Sequence, residues 1–345
     1  MGKAQFDTLV FSRRLYERQK QNLGFKARSQ AQTRRWQNVL RARLKTLLGG
    51  LAGKKIPLNP RVTLRRSFKE YTRETVVFQS RPGLAMAGYL LLPRGLRGPA
   101  PCVICLPGHG RGADSIVGLD DKDRMRPFGK WDEYQNDFAL QCVAHGFAAF
   151  AVEQLGFGCR RDPAAVAQGK GGSSCQPAAG AALLFGQTMA GWRVWDVMRT
   201  VDYLETRTEI APGRIGVMGI SGGGTVALYS AALDARLKAA VLSCSFNTFR
   251  DSIMSISHCI DNYVPGILGE AEMHDIAGLI APRALFVEAG SKDPIFPVSG
   301  VRLAYGKTRK IYERLGAKDR MGLEIFKGGH EIHGKKAFDF LKTVL

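Results

Sequence analysis

From residue 102 onward, this chain of 345 residues carries six short apolar runs that do not alternate with polar residues. They are CVICLPG (102–108), FAAFAVEQ (147–154), RIGVMGI (214–220), AAVLSCSF (239–246), ALFVEAG (284–290) and LEIFKGG (323–329). A strand reads as an unbroken apolar run when both of its faces are buried, and that happens in a parallel sheet covered by helices on both sides. Helical patterns fall between the runs, near 132–146, 181–206, 222–234, 297–315 and 335–345. This alternation predicts an α/β fold. Upstream, ETVVFQS (74–80) and LAMAGYLLLP (84–93) bracket the turn RPG and predict an antiparallel hairpin.

The chain divides on charge. Residues 1–70 hold 18 Lys and Arg against three acids, so most of the formal +20 sits there. Within 1–56, RRWQNVLRARLKTLLGGL places Trp36, Val39, Leu40, Leu44, Leu47 and Leu48 on one helical face, opposite Arg and Lys. We expect a basic helical N-terminal extension over 1–56 that packs on a catalytic domain over 57–345. Loop insertions at about 155–180 and 247–282 should shape a binding site, as long connections beyond strand ends commonly do. No apolar run approaches the roughly 18 residues that span a bilayer. The first residues lack the apolar segment of a secretory leader, so a cytoplasmic protein is expected. The seven cysteines then read as free thiols. Cys102 and Cys105 face opposite ways on their strand, and no metal site is expected.

At 219–223 the apolar run RIGVMGI passes through Gly-Ile-Ser-Gly-Gly into an Ala/Leu-rich helical pattern. The G-x-S-x-G string is short, but its place between strand and helix is where a nucleophile elbow works. Ser221 would be pushed clear of the sheet, with glycines where a Cβ would collide. No Lys follows the serine, so a phosphate-binding Walker loop is excluded.

A serine hydroxyl needs a base, and the base needs an orienting acid. Asp293 lies just past one later strand and His330 just past the last. Glu288, inside its strand, is the rival acid, and His333 is the rival base. The backbone N–H groups of Gly222 and His109 would serve as the oxyanion donors. Glu153, Gln154 and Arg160 in EQLGFGCRR, and His258, Asp261, Asn262 and Tyr263 in SHCIDNYVPG, are candidate substrate contacts.

The segments LPGHGRG, VEQLGFG, GRIGVMGISGGG, LIAPRALFVEAGSKDPIFP and FKGGH occur in that order. Together they resemble the dienelactone hydrolase and acetylxylan esterase-like branch of the α/β-hydrolases, over roughly 60–345. The resemblance implies an α/β-hydrolase fold with an eight-stranded, mostly parallel sheet containing one antiparallel strand. It also implies no cofactor, and hydrolysis of small to medium carboxylic esters by Ser221, Asp293 and His330. Two positions depart from the pattern. Dienelactone hydrolases proper use cysteine where Ser221 stands, and acetylxylan and cephalosporin deacetylases carry Gln where Gly222 stands. Dienelactone hydrolase, thioesterase and peptidase activities are the alternatives within enzymes. The alternative from another class is a binding protein that docks on nucleic acid or acidic surfaces through the basic segment. Nucleic acid is the less favoured partner, because the apolar face of 36–48 is suited to packing on protein. Whether the chain forms a homo-oligomer is left open.

Overall fold

The computed structural model describes residues 6–51, 55–131 and 133–345. Among them nine strands form a single sheet. These are β1 (Arg61–Ser67), β2 (Tyr71–Arg81), β3 (Leu84–Pro93), β4 (Ala100–Leu106), β5 (Ala148–Val152), β6 (Ile210–Ile220), β7 (Leu237–Ser243), β8 (Ala284–Gly290) and β9 (Met321–Phe326). Their order across the sheet is β1-β2-β3-β5-β4-β6-β7-β8-β9. From β5 to β9 all neighbours are parallel, whereas β1 and β3 run against the rest.

The expectation of eight strands with one antiparallel is therefore corrected to nine with two. The added strand, β1, is exposed at every residue. RVTLRRS buries nothing, so it lacks the apolar signal by which the other strands are read.

The apolar runs bury both faces by strict alternation. Cys102, Ile104 and Leu106 of β4 enter one core cluster, and Val103 and Cys105 enter the other. The first cluster lies under α2 (Gln30–Leu47), α6 (Met189–Leu204), α7 (Gly222–Leu233), α9 (Met273–Gly278) and α10 (Val298–Arg314). The second lies under α3 (Phe138–Ala144) and α11 (Lys335–Val344). The helical pattern near 132–146 begins only at 138, because Asn136 and Asp137 take φ of +48° and +44°. The pattern over 181–206 is two helices, α5 (Cys175–Leu184) and α6. Gly186 at φ +66° ends the first, and the Thr188 hydroxyl caps the second by accepting from the Gly191 N–H at 2.9 Å.

Near the N-terminus, α1 (Thr8–Arg18) precedes α2, and the short helices α4 (Pro163–Ala167) and α8 (Ile267–Glu270) lie in the two long connections. Leu40, Leu44 and Leu48 are shut into the main core. Val39 is half exposed, at 50%, and does not belong to the buried face. Gln37 donates to the Gly278 and Ala281 carbonyls at 2.9 and 2.8 Å, and Arg41 to the Ala232 and Leu279 carbonyls at 3.1 and 2.7 Å. The Thr188 hydroxyl donates to the Leu48 carbonyl at 3.1 Å. Part of the basic segment thus bonds the protein's own body. Among the described residues no helix is long and apolar enough to cross a membrane.

Because Leu44 has no exposed surface, Leu44→Ala should leave an unfilled cavity and cost about 2–5 kcal/mol. Guanidinium unfolding should show a lower midpoint at unchanged slope. A change within error would mean that α2 rests on the surface without sharing the core.

Candidate active site

Ser221 links the end of β6 to the start of α7 at φ +56° and ψ −126°, a region that non-glycine residues rarely occupy. The chain can turn there because its neighbours are glycines. A Cβ on Gly219 would stand 2.3 Å from the Gly223 carbonyl oxygen, and one on Gly223 would stand 2.1 Å from that of Leu106. The Ser221 N–H donates to the Ser243 carbonyl on β7 at 3.1 Å, and the Ser221 carbonyl accepts from the Thr225 N–H at 3.0 Å. Both ends of the turn are therefore held by the sheet and the helix, and the side chain remains partly exposed.

Asp293 follows β8 and His330 follows β9. His330 Nδ1 is 2.8 Å from Asp293 Oδ2. The other carboxylate oxygen accepts from the Ile295 and Phe296 N–H groups at 2.8 and 3.2 Å. Burial alone would raise the Asp293 carboxyl, but its bonds to His330 and to the two amides hold it below its usual range. The imidazole is flanked by near-parallel rings, Tyr134 at 5.8 Å and Phe296 at 5.9 Å. With Nδ1 engaged by the carboxylate, Nε2 is the nitrogen left for proton transfer.

Gly108 and Tyr134 join this pair to the serine. A Cβ on Gly108 would lie 2.5 Å from the Tyr134 hydroxyl and 3.2 Å from the Ser221 Cβ. The same hydroxyl donates to the His109 carbonyl at 2.5 Å, and the Gly108 N–H donates to Gln135 Oε1 at 2.8 Å. His109 in turn lies against Gly222, where an added Cβ would be 3.1 Å from the imidazole Cε1. The serine turn, Gly222, His109, and the His330–Asp293 pair thus share one rim of the sheet. Tyr134 and Gln135 carry no signature in the sequence, because they act from an irregular loop.

The rival acid and base sit elsewhere. Glu288 is wholly buried and accepts from the Ser243 hydroxyl at 2.7 Å and the Gly334 N–H at 2.9 Å, and burial pushes its carboxyl up. His333 pairs with Glu324 at 3.2 Å and stacks on Phe326. Cys244 gathers with Asp293 and His330, their nearest polar atoms within 4.8 Å of one another, and burial raises its thiol far above the ordinary range.

Both stretches assigned to substrate contact reach the site, but most of their side chains turn inward. Gln154 donates to the Pro107 carbonyl at 2.5 Å, and Arg160 donates to the Glu153 carbonyl at 3.0 Å and to Asp196 at 2.7 Å. Glu153 accepts from the Ala113 N–H at 3.2 Å, and burial lifts its carboxyl to about 8. Asp261 is buried among His109, Cys175 and Arg193. Burial opposes a charge on His109, but Asp261 and Cys175 outweigh it and raise the imidazole to about 9. Asn262 lies beside Gly222 and 3.3 Å from His258 Nδ1, and His258 meets Phe296 edge to face. Tyr263 is turned away, donating to the Ile253 carbonyl at 3.1 Å. Two open clefts of 510 and 690 Å³ adjoin the N-terminal segment, and neither is lined by Ser221, Asp293 or His330.

Residues 8–310 match the Abhydrolase family. The chain is 28% identical over 294 residues to the Bacillus subtilis (strain 168) protein named "Putative hydrolase YtaP", covering 84% of this chain and 92% of that protein. A "putative acetyl xylan esterase" from Bacteroides fragilis NCTC 9343 superposes with a TM-score of 0.77 at 20% identity, over 93% of this chain and 82% of its own. A glucuronoyl esterase from Solibacter usitatus gives a TM-score of 0.65 at 19% identity, over 93% and 96% of the two chains. At these identities the likeness to the solved structures is one of fold.

Glu153 supplies a pH test of the site's rim. An unfolded carboxyl ionises near 4.5, whereas the native one keeps its proton until about pH 8. The native state binds more protons across that window, so stability falls as pH rises through it. Chemical unfolding of wild type and Glu153→Gln from pH 5 to 8 should diverge by on the order of 1 kcal/mol per pH unit, in favour of the variant. Parallel curves would show that Glu153 is ionised in the native protein.

Proposed function

The chain belongs to the Abhydrolase family, hydrolases of the α/β type, and on that premise we propose that it cleaves carboxylic esters of small to medium size through an acyl-enzyme on Ser221. The observation that carries this reading is the 2.8 Å contact between His330 Nδ1 and Asp293, on the same rim as a serine held at positive φ. His330 takes the Ser221 proton through Nε2 as the hydroxyl oxygen attacks the ester carbonyl. Asp293 holds the imidazole in the tautomer this requires and stabilises the imidazolium that forms. The oxyanion of the tetrahedral intermediate accepts from the Gly222 N–H, at the positive end of α7, with the His109 N–H as second donor. Collapse expels the alcohol with the proton from His330, and water repeats the sequence on the acyl-enzyme.

The substrate class is supported by the esterase names carried by the structural neighbours and by the crowded setting of the serine, with Gly108, His109, Tyr134 and Asn262 close by. Residues 57–345 make up the catalytic domain on this reading, and within the expected extension over 1–56 the described residues 6–51 supply two helices packed on it, with 1–5 and 52–54 outside the described residues. The seven free thiols support a reducing, cytoplasmic setting.

A fluorophosphonate should add once to the folded wild-type chain, as read by intact mass, and not to Ser221→Ala. On a series of aryl and alkyl esters graded by acyl length, kcat of Ser221→Ala should fall by about 10⁴-fold or more, and that of Asp293→Asn by roughly 10³–10⁴-fold. An adduct that persists in Ser221→Ala, or a variant with unchanged kcat, would overturn the assignment.

A further inference from the structure

Beside the serine turn, four donor side chains converge that the hydrolytic reading leaves unused. His109 follows β4, Cys175 opens α5, and Cys259 and Asp261 belong to the turn leading into Asn262. One donor atom from each lies within 4.8 Å of those of the other three. We propose that His109, Cys175, Cys259 and Asp261 form a binding site for one divalent metal ion of the zinc type, held tetrahedrally by one nitrogen, two sulfurs and one oxygen.

Geometry supports this first. Bonds of about 2.3 Å to sulfur and 2.0–2.1 Å to nitrogen and oxygen require about 3.3–3.8 Å between the donors of a tetrahedral ion. His109 Nε2 and Cys175 Sγ lie 3.2 and 3.3 Å from Asp261 Oδ2. His109 Nε2 is shielded from solvent and, although near that oxygen, is not directed for a hydrogen bond. Once its proton is displaced, a buried nitrogen so placed can offer its lone pair to an ion in the cluster.

Charge supports it independently. Arg193 is fully buried. It donates to Asp261 Oδ2, to Cys175 Sγ at 3.1 Å and to the Leu155 carbonyl at 2.6 Å, so it braces two donors as outer partners of metal ligands do. With an ion bound, two thiolates and one carboxylate would bring three negative charges, which a divalent ion and the Arg193 guanidinium together balance. Uptake of the ion releases to solvent the protons its donors carry. The two cysteines come from segments 84 positions apart, unlike Cys102 and Cys105, which explains why spacing along the chain did not reveal the site.

The site would fasten the His109 loop to α5 and to the turn at 259–261. Only the consequence that this steadies a backbone oxyanion donor rests on the Ser221 reading.

The test is cobalt(II) titration of the chelator-stripped, reduced full-length protein. One equivalent should produce a thiolate-to-cobalt charge-transfer band in the near ultraviolet and the strong visible bands of tetrahedral cobalt, both abolished by zinc. Cys259→Ser, with its fold checked by circular dichroism, should lose much of the charge-transfer intensity and bind at least about tenfold more weakly. Cys159→Ser, altered at an exposed cysteine outside the cluster, should match wild type. If Cys259→Ser does not fold, thiol-reagent kinetics on wild type serve instead, with zinc protecting two cysteines and a chelator releasing them. The absence of a thiolate–cobalt band, thiol reactivity indifferent to zinc, or a Cys175–Cys259 disulfide in the peptide map of protein purified without reductant would each overturn the proposal. None of these readouts uses ester hydrolysis, so failure here and failure of the Ser221 assignment are separable.

Discussion

The left-handed backbone at Ser221 can persist only because β6, β7 and α7 over-determine it. A strained residue costs on the order of 1–3 kcal/mol, and the surroundings must supply that. Here the sheet takes the serine's N–H through Ser243, the helix takes its carbonyl through Thr225, and bare α-carbons at 219 and 223 let the two elements close on each other. The loops that complete the site follow β4, β5, β7, β8 and β9, strands kept parallel by helices on both faces. The architecture therefore delivers His109, Asp293 and His330 to the edge from which Ser221 projects.

Legibility in the sequence followed burial. Strands such as β4, β5, β7 and β8 declare themselves because both faces must be apolar, and the strand-to-helix change at Ser221 declares itself through glycine. β1 gives no such signal because an exposed edge strand has no apolar requirement to satisfy. The start of α3 is hidden in the sequence because two residues at positive φ interrupt a favourable helical composition. Asp293 and His330 stand out in the sequence by their positions after successive strands. Tyr134 and Gln135 lie in a loop without periodicity, and Arg193 lies on a helix whose spacing speaks only of packing. Glu153, Gln154 and Arg160 show a further limit: their place in the chain is readable, but whether a polar side chain faces solvent or carries a neighbouring loop depends on contacts distant in sequence.

The basic N-terminal segment shows how formal charge can mislead. Arg41 spends its guanidinium on carbonyls that end other elements, and Arg43 pairs with Glu270 at 2.8 Å. Such groups contribute to net charge while being occupied within the molecule. The aliphatic face behind them, with Leu40, Leu44 and Leu48, completes a core whose remaining walls come from α6, α7, α9 and α10.

That arrangement bears on the order of events during synthesis. Helix α2 leaves the ribosome long before its partners, since the carbonyls that receive Gln37 belong to residues 278 and 281, and Arg314 donates to the Arg28 carbonyl at 2.9 Å. Until those residues follow, a strongly amphipathic, cationic helix has no surface on which to settle. A segment made well before its partners is among the last to be enclosed, and vectorial growth of the chain leaves it exposed to whatever anionic or apolar surface is nearest until they have been made.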